Sequence, residues 1–117
     1  MAHSKQTVEK VTRFLIKKAQ ERQAVVYADV AKACGLPTTG SQLGQSLGPI
    51  LDDINTWCMH RGNPTLSALV VRKSGEDQGL PGKGFWDLVA PQLTDRASKH
   101  IYLDAVHTQL FNYYEMY

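Results

Sequence analysis

Three groups of residues in this 117-residue chain have types and spacings that can do chemistry. Asp52 and Asp53 precede His60, and carboxylates with an imidazole can ligate a divalent metal. Adjacent carboxylates diverge around a helix, though, and no second histidine stands at ligand spacing, so no metal site is expected. His100 and Asp104 lie one helical turn apart, with His107 a further turn on. Such a row can order an imidazole for proton transfer, but no nucleophile accompanies it. A surface pair worth about 0.2–0.5 kcal/mol is the plainer account. The run Gly79-Leu80-Pro81-Gly82-Lys83-Gly84 has the glycines of a phosphate-binding loop. It lacks the Lys-Ser/Thr ending and no helix evidently follows, so it reads as a wing between strands. Cys34 and Cys58 sit beside apolar neighbours in helical patterns; two cysteines make neither a disulfide framework nor a zinc set, and buried thiols are expected. The catalytic inventory is therefore empty: no enzyme activity and no cofactor.

A different chemistry is written between Ser41 and Gln45 and again between Arg72 and Lys83. Serine and glutamine exchange hydrogen bonds with base edges, and lysine and arginine bind phosphates without sequence choice. Ser41, Gln42, Gly44 and Gln45 would face a nucleic-acid groove, Tyr27 the backbone, and Arg72, Lys73 and Lys83 the phosphates. The net charge of +2 does not compel such a partner. Its distribution is uneven: residues 1–62 hold eight Lys/Arg against five Asp/Glu, and six of those eight lie between Lys5 and Arg22. A solvated helix face explains that cluster without phosphate contact.

The elements that must position these side chains follow from periodicity. Val8, Val11, Leu15 and Ala19, widened by Phe14 and Ile16, make an amphipathic helix of Lys5 to Gln23. Val25-Val26-Tyr27 reads as a short strand leading into the helical Ala28–Cys34, which Gly35 closes in a left-handed conformation. Pro37 and Gly40 make a turn, and Ser41 caps the next helix. There Leu43, Leu47, Ile50, Leu51, Ile54 and Cys58 recur every three or four residues. Gly48-Pro49 combines two poor interior residues, so a break is expected at that point. Leu66 to Lys73 reads as a strand, Ser74 to Gly84 as a hairpin or wing, and Phe85 to Leu88 as the returning strand. A final helix, capped by Thr94 or Asp95, has Ala97, Ile101, Leu103, Ala105, Val106, Leu110 and Tyr114 on a broad apolar face. The expected fold is mainly α with a small β-hairpin or sheet: a winged helix-turn-helix with additional N- and C-terminal helices, one domain over residues 1–117.

In that order of elements, Val25 to Gly84 resembles the DNA-binding half of the alkylguanine-DNA alkyltransferases and their non-catalytic alkyltransferase-like relatives. The matching positions are Val26-Tyr27, Val30-Ala31-Lys32-Ala33 with Gly35 and Pro37, Leu43-Gly44, Arg61-Gly62-Asn63-Pro64, and Val70-Val71 with Ser74-Gly75. The resemblance covers about half the chain. It implies minor-groove docking of the helix that contains Gly44, and rotation of a nucleotide out of the duplex. The chain departs from the family where alkyl transfer is concerned. Leu66-Ser67-Ala68-Leu69 stands in place of the signature Pro-Cys-His-Arg, and Ser41 in place of the arginine that fills the space of the flipped base. The segment with Asp52, Asp53 and Trp57 is foreign to the family pattern. Tyr27 and Gly44 keep their family types.

Two functions from different classes follow as expectations. One is a non-enzymatic protein that binds duplex DNA through a helix-turn-helix and wing. The other is a protein-interaction module on the same scaffold, regulating or inhibiting a nucleic-acid enzyme, with Phe111, Tyr113, Tyr114 and Tyr117 as an exposed contact patch. No run approaches the roughly 18–20 apolar residues of a membrane span and no signal-peptide pattern opens the chain, so a cytoplasmic location and no membrane partner are expected.

Overall fold

The stripe that makes the first helix amphipathic also sets the centre of the molecule. The structure, a computed structural model, describes residues 5–38, 40–75 and 78–117, with Ser41 described by its backbone alone. Helix α1 (Lys5–Gln20) buries Val11, Leu15 and Ala19 completely, and it packs chiefly against α3, α5 and a buried 3-10 turn, with a smaller contact to α2. Its basic residues Lys10, Arg13 and Lys17 remain in water.

A two-residue strand β1 (Val25–Val26) leads directly into α2 (Tyr27–Ala33), and α3 (Gly40–His60) follows after a short turn. Gly35 takes φ +73° at the end of α2. There the Leu36 N–H donates to the Ala31 carbonyl at 2.8 Å, which satisfies one of the helix's orphaned acceptors in the way expected of a left-handed glycine stop. Gly62 at φ +70° ends α3 likewise, with Asn63 N–H donating to the Cys58 carbonyl at 2.9 Å.

Helix α3 does not break at Gly48-Pro49: it runs through 21 residues with Pro49 inside. The missing proline donor costs one backbone bond. Leu47, Ile50, Leu51 and Ile54 are all buried on one side of it, and burying them in one continuous stripe outweighs that loss. Pro49 itself is exposed to solvent.

The second half of the chain departs most from the periodicity reading. Leu66–Leu69 is a fully buried 3-10 turn, and the strand β2 is only Val70–Val71. A continuous apolar run fits a buried turn as well as a strand; here Ala68 N–H donates to the Thr65 carbonyl at 3.0 Å and winds it up. β2 pairs with β1 in parallel, Val25 opposite Val70 and Val26 opposite Val71, so the sheet is not the expected hairpin. After β2 the loop closes on Arg72: its N–H donates to Leu80 O and its carbonyl accepts from Gly79 N–H, both at 2.9 Å. The expected returning strand is instead a helix, α4 (Lys83–Val89). Phe85, Trp86 and Ala90 are buried and Val89 is half-buried, a helical spacing that strand alternation cannot satisfy. The Trp86 indole N–H donates to Pro81 O at 3.0 Å and anchors the helix start.

Asp95 caps the last helix, α5 (Arg96–Glu115), by accepting from Ser98 N–H at 2.9 Å. Its buried stripe is Leu103, Val106, Leu110 and Tyr114. Ala97, Ile101 and Ala105, expected on that face, are exposed. The whole is a mainly helical globule carrying a small parallel sheet. Among the described residues no helix is long and apolar enough to cross a membrane.

Candidate nucleic-acid interface

Helix α3 shows its inner stripe to the core and, beside it, a row of glycines to a cleft. Gly40, Gly44 and Gly48 recur every fourth residue, and all three line a cavity of about 470 Å³ between α3, the start of α2 and the loop into α4. A Cβ added to any of the three would meet nothing within 4 Å. At Gly40 the backbone itself calls for glycine, at φ +65°; at Gly44 and Gly48 no other part of the described chain approaches, and the backbone there faces the cleft.

Tyr27 forms the cleft's second wall. It is the first residue of α2, half-buried, and its hydroxyl accepts from Gly82 N–H at 2.9 Å. The Arg72 guanidinium lies over its ring, 5.9 Å from the centroid. Gly82 has no room for a larger residue, because a Cβ there would come within 3.1 Å of the Tyr27 hydroxyl and 3.3 Å of Arg72. Tyr27 thus fixes the loop that carries the cations.

Arg72, Lys73 and Lys83 are exposed at the mouth of this cleft. Lys73 makes no ion pair among the described residues, whereas Lys83 Nζ is 2.6 Å from Asp87 Oδ2. That pair is exposed and worth little in stability, but a phosphate must compete with Asp87 for Lys83. Among the described residues Asp52 is the one acidic side chain lining the cleft. Partial burial of its carboxyl, reinforced by the neighbouring Asp53, holds it above the ordinary carboxylate value.

Gln42 and Gln45 are exposed on α3 but lie outside the cleft. At about 100° per residue Gln45 flanks Gly44 and Gln42 stands further round on the outer face. The side chain of Ser41 lies outside the described residues. None of this end of α3 is covered by the terminal tyrosines. Tyr113 Oη donates to Asn63 Oδ1 at 3.1 Å, at the far end of a helix about 30 Å long.

The floor of the cleft was not read from the sequence. Asn55 and Ser67 both line it and are almost completely buried, 1% and 3% exposed. Neither Asn55 Oδ1 nor Ser67 Oγ has a hydrogen-bond partner among the described residues. Asn55 follows Leu51 by one turn in the apolar stripe of α3, and that interruption is the signal in the sequence that could have found it.

The other candidate chemistries are placed elsewhere. His107 Nε2 is 2.7 Å from Ala68 O and so ties α5 to the buried 3-10 turn. The loop from Gly79 to Gly84 is, against expectation, followed by a helix, but one of seven residues, and Gly82 N–H is already given to Tyr27. Among the described residues no three His, Cys, Asp or Glu side chains converge as metal ligands do. Cys34 and Cys58 are free and buried, and burial pushes both thiols above their ordinary value. The aromatic patch expected on α5 is only partly exposed. Tyr114 is buried at 1% exposure, stacked edge-on with Tyr113 at 4.8 Å between centroids, and Phe111 is half-buried beneath the Arg22 guanidinium. Tyr113 and Tyr117 keep exposed surface.

Comparison of the chain with protein-family models, with curated proteins and with solved structures gave no match.

Proposed function

We propose that this chain is a non-enzymatic DNA-binding protein. In this reading α2, the turn through Gly35 and Pro37, and α3 serve as the helix-turn-helix, and the loop from Arg72 to Lys83 serves as the wing. The observation that carries it is the open glycine row Gly40, Gly44 and Gly48, with Arg72, Lys73 and Lys83 at its edge. Bare backbone can approach a groove closely, and cations on one side of it can neutralise phosphates. Ser67 supplies a hydroxyl, not a thiol, on the cleft floor, which fits binding without alkyl transfer. The pairing of Lys83 with Asp87 and the carboxylate of Asp52 suit modest affinity, dependent on salt.

The test is fluorescence anisotropy with a labelled duplex between about 50 and 200 mM salt, where counterion release is read directly. Affinity is expected to fall steeply with salt, and Lys73→Ala to reduce the log–log slope by about one. Gly44→Leu fills open space on an exposed helix face, so it keeps the fold and blocks close approach; a loss of about tenfold or more in affinity is expected. Absence of duplex binding at about 50 mM salt overturns the proposal, as does full binding by Gly44→Leu.

The second reading, a module that docks on a protein partner such as a nucleic-acid enzyme, is favoured by exposed Met59, Tyr113, Met116 and Tyr117. Duplex binding that survives Tyr117→Ser and is lost in Gly44→Leu separates the two in favour of DNA.

A further inference from the structure

An indole left in water forfeits a large apolar burial. Trp57 is 43% exposed, and it forms one wall of a second cavity, of about 480 Å³, between α1 and α3. Val8, Thr12 and Ile54 line that groove beside it. The Thr12 hydroxyl already donates to the Val8 carbonyl at 2.7 Å, so the groove floor is in need of apolar contact and not of hydrogen bonds. The Arg61 guanidinium lies over the Trp57 ring, 4.8 Å from its centroid. Tryptophan and arginine are the types on which protein–protein contacts most often turn.

The rim decides which partner fits. Lys5 and Arg13 stand around the groove with Glu9 and Asp53, two cations against two anions. A strongly acidic or strongly basic partner gains little from such a rim. A surface with the same alternation, turned about a two-fold axis, sets each cation opposite an anion. Glu9 and Arg13 show this most plainly. They lie one turn apart on α1, with Arg13 Nη2 3.8 Å from Glu9 Oε2 and side chains 81% exposed for Arg13 and 52% for Glu9, so their own pairing is weak. Where two α1 helices run antiparallel, Arg13 of each copy meets Glu9 of the other. Area is sufficient too. With α1 and α3 about 24 and 31 Å long and packed helices about 8–10 Å apart, their joint outer face measures roughly 20 by 24 Å. With side-chain relief that amounts to about 500–800 Å² per copy, the low end of specific pairs.

We propose that a second copy of this chain covers the groove, in a two-fold dimer. Trp57 of each protomer packs against Val8 and Ile54 of the other, and Glu9 and Arg13 exchange partners across the axis. The cleft that carries the duplex-binding reading stays free. At about 100° per residue, Asp53, Ile54 and Trp57 stand on the flank of α3 turned away from Gly44, Gly48 and Asn55, which line that cleft. The dimer thus holds two open clefts, and neither inference depends on the other.

The experiment is sedimentation velocity of the full chain over concentrations of about 1–200 μM at about 150 mM salt, where exposed charges act over roughly 8 Å. A monomer–dimer equilibrium with a dissociation constant of about 1–50 μM is expected of an interface this small. Trp57→Glu should weaken association about a hundredfold or more while keeping the parent's far-UV dichroism, because the position faces water in the single chain. Arg13→Glu and Glu9→Arg should each be monomeric alone, since each sets like charges across the axis. Mixed in equal amounts, these two variants should form a heterodimer within about threefold of the parent's affinity, because the mixture restores both cross-axis pairs. Damage to the fold would not be repaired by mixing. A parent that is monomeric at every concentration overturns the proposal and gives the groove to a different protein or a small molecule. A dimer that survives Trp57→Glu lies on another face and overturns it too, as does a mixture of the two charge variants that stays monomeric.

Discussion

Individual side chains set what this surface can hold. The thiols of Cys34 and Cys58 are pushed up by burial, the latter partly offset by a backbone hydrogen bond near Leu66. Both should therefore resist a thiol reagent at pH 8 in the folded chain and react fully in denaturant; rapid native labelling of either contradicts their placement. Asp52 gives a pH dependence whose sign is fixed. Its carboxyl keeps its proton to a higher pH in the folded chain than in the unfolded one. The native state then binds more protons between those two values, so its contribution to stability is full below the ordinary carboxylate pKa and declines as pH rises through the raised one. Asp52→Asn should flatten that part of a melting-temperature profile and, by removing a negative charge from the cleft, strengthen duplex binding near pH 7. Asp87→Asn should do the latter as well by releasing Lys83, with a steeper salt dependence in the anisotropy assay.

At the scale of elements, the first half of the chain was legible and the second only in part. The α1 stripe and the Gly35 stop are local signals, written within a few residues of where they act. The continuity of α3 was not legible, because the penalty at Pro49 is local while the burial of Leu47, Ile50 and Ile54 that overrides it depends on α1 and the 3-10 turn. Restoring the donor in Pro49→Ala should stabilise the chain by about 1–2 kcal/mol, the gain of one helix bond less the added freedom of the unfolded state, measurable by urea denaturation. α4 was misread because Phe-Trp favours strands by type. The spacing of Phe85, Trp86, Val89 and Ala90 was there to be read, but the indole bond to Pro81 that fixes it was not. The site divides in the same way. Tyr27, Gly44, Arg72, Lys73 and Lys83 were named by type and line the cleft, whereas Gln42 and Gln45, named with them, lie outside it. Asn55 and Ser67 were not named, because only the folded chain brings them to the cleft.

For the molecule as a whole, the radius of gyration of 13.2 Å is close to the roughly 13.4 Å expected of a compact domain this long. Leu110 is wholly buried on α5, so Leu110→Ala should cost about 2–5 kcal/mol. The loss should appear in one transition, with tryptophan fluorescence and far-UV dichroism sharing a midpoint; separated midpoints refute a single cooperative unit. The parallel pairing of Val25–Val26 with Val70–Val71 bears on how that unit assembles. Its rungs join segments with α2, α3 and the 3-10 turn between them, and no tight turn can bring such strands together early. The ladder must close late in folding, after those helices have docked, and its amide protons should exchange with deuterium among the slowest in the chain.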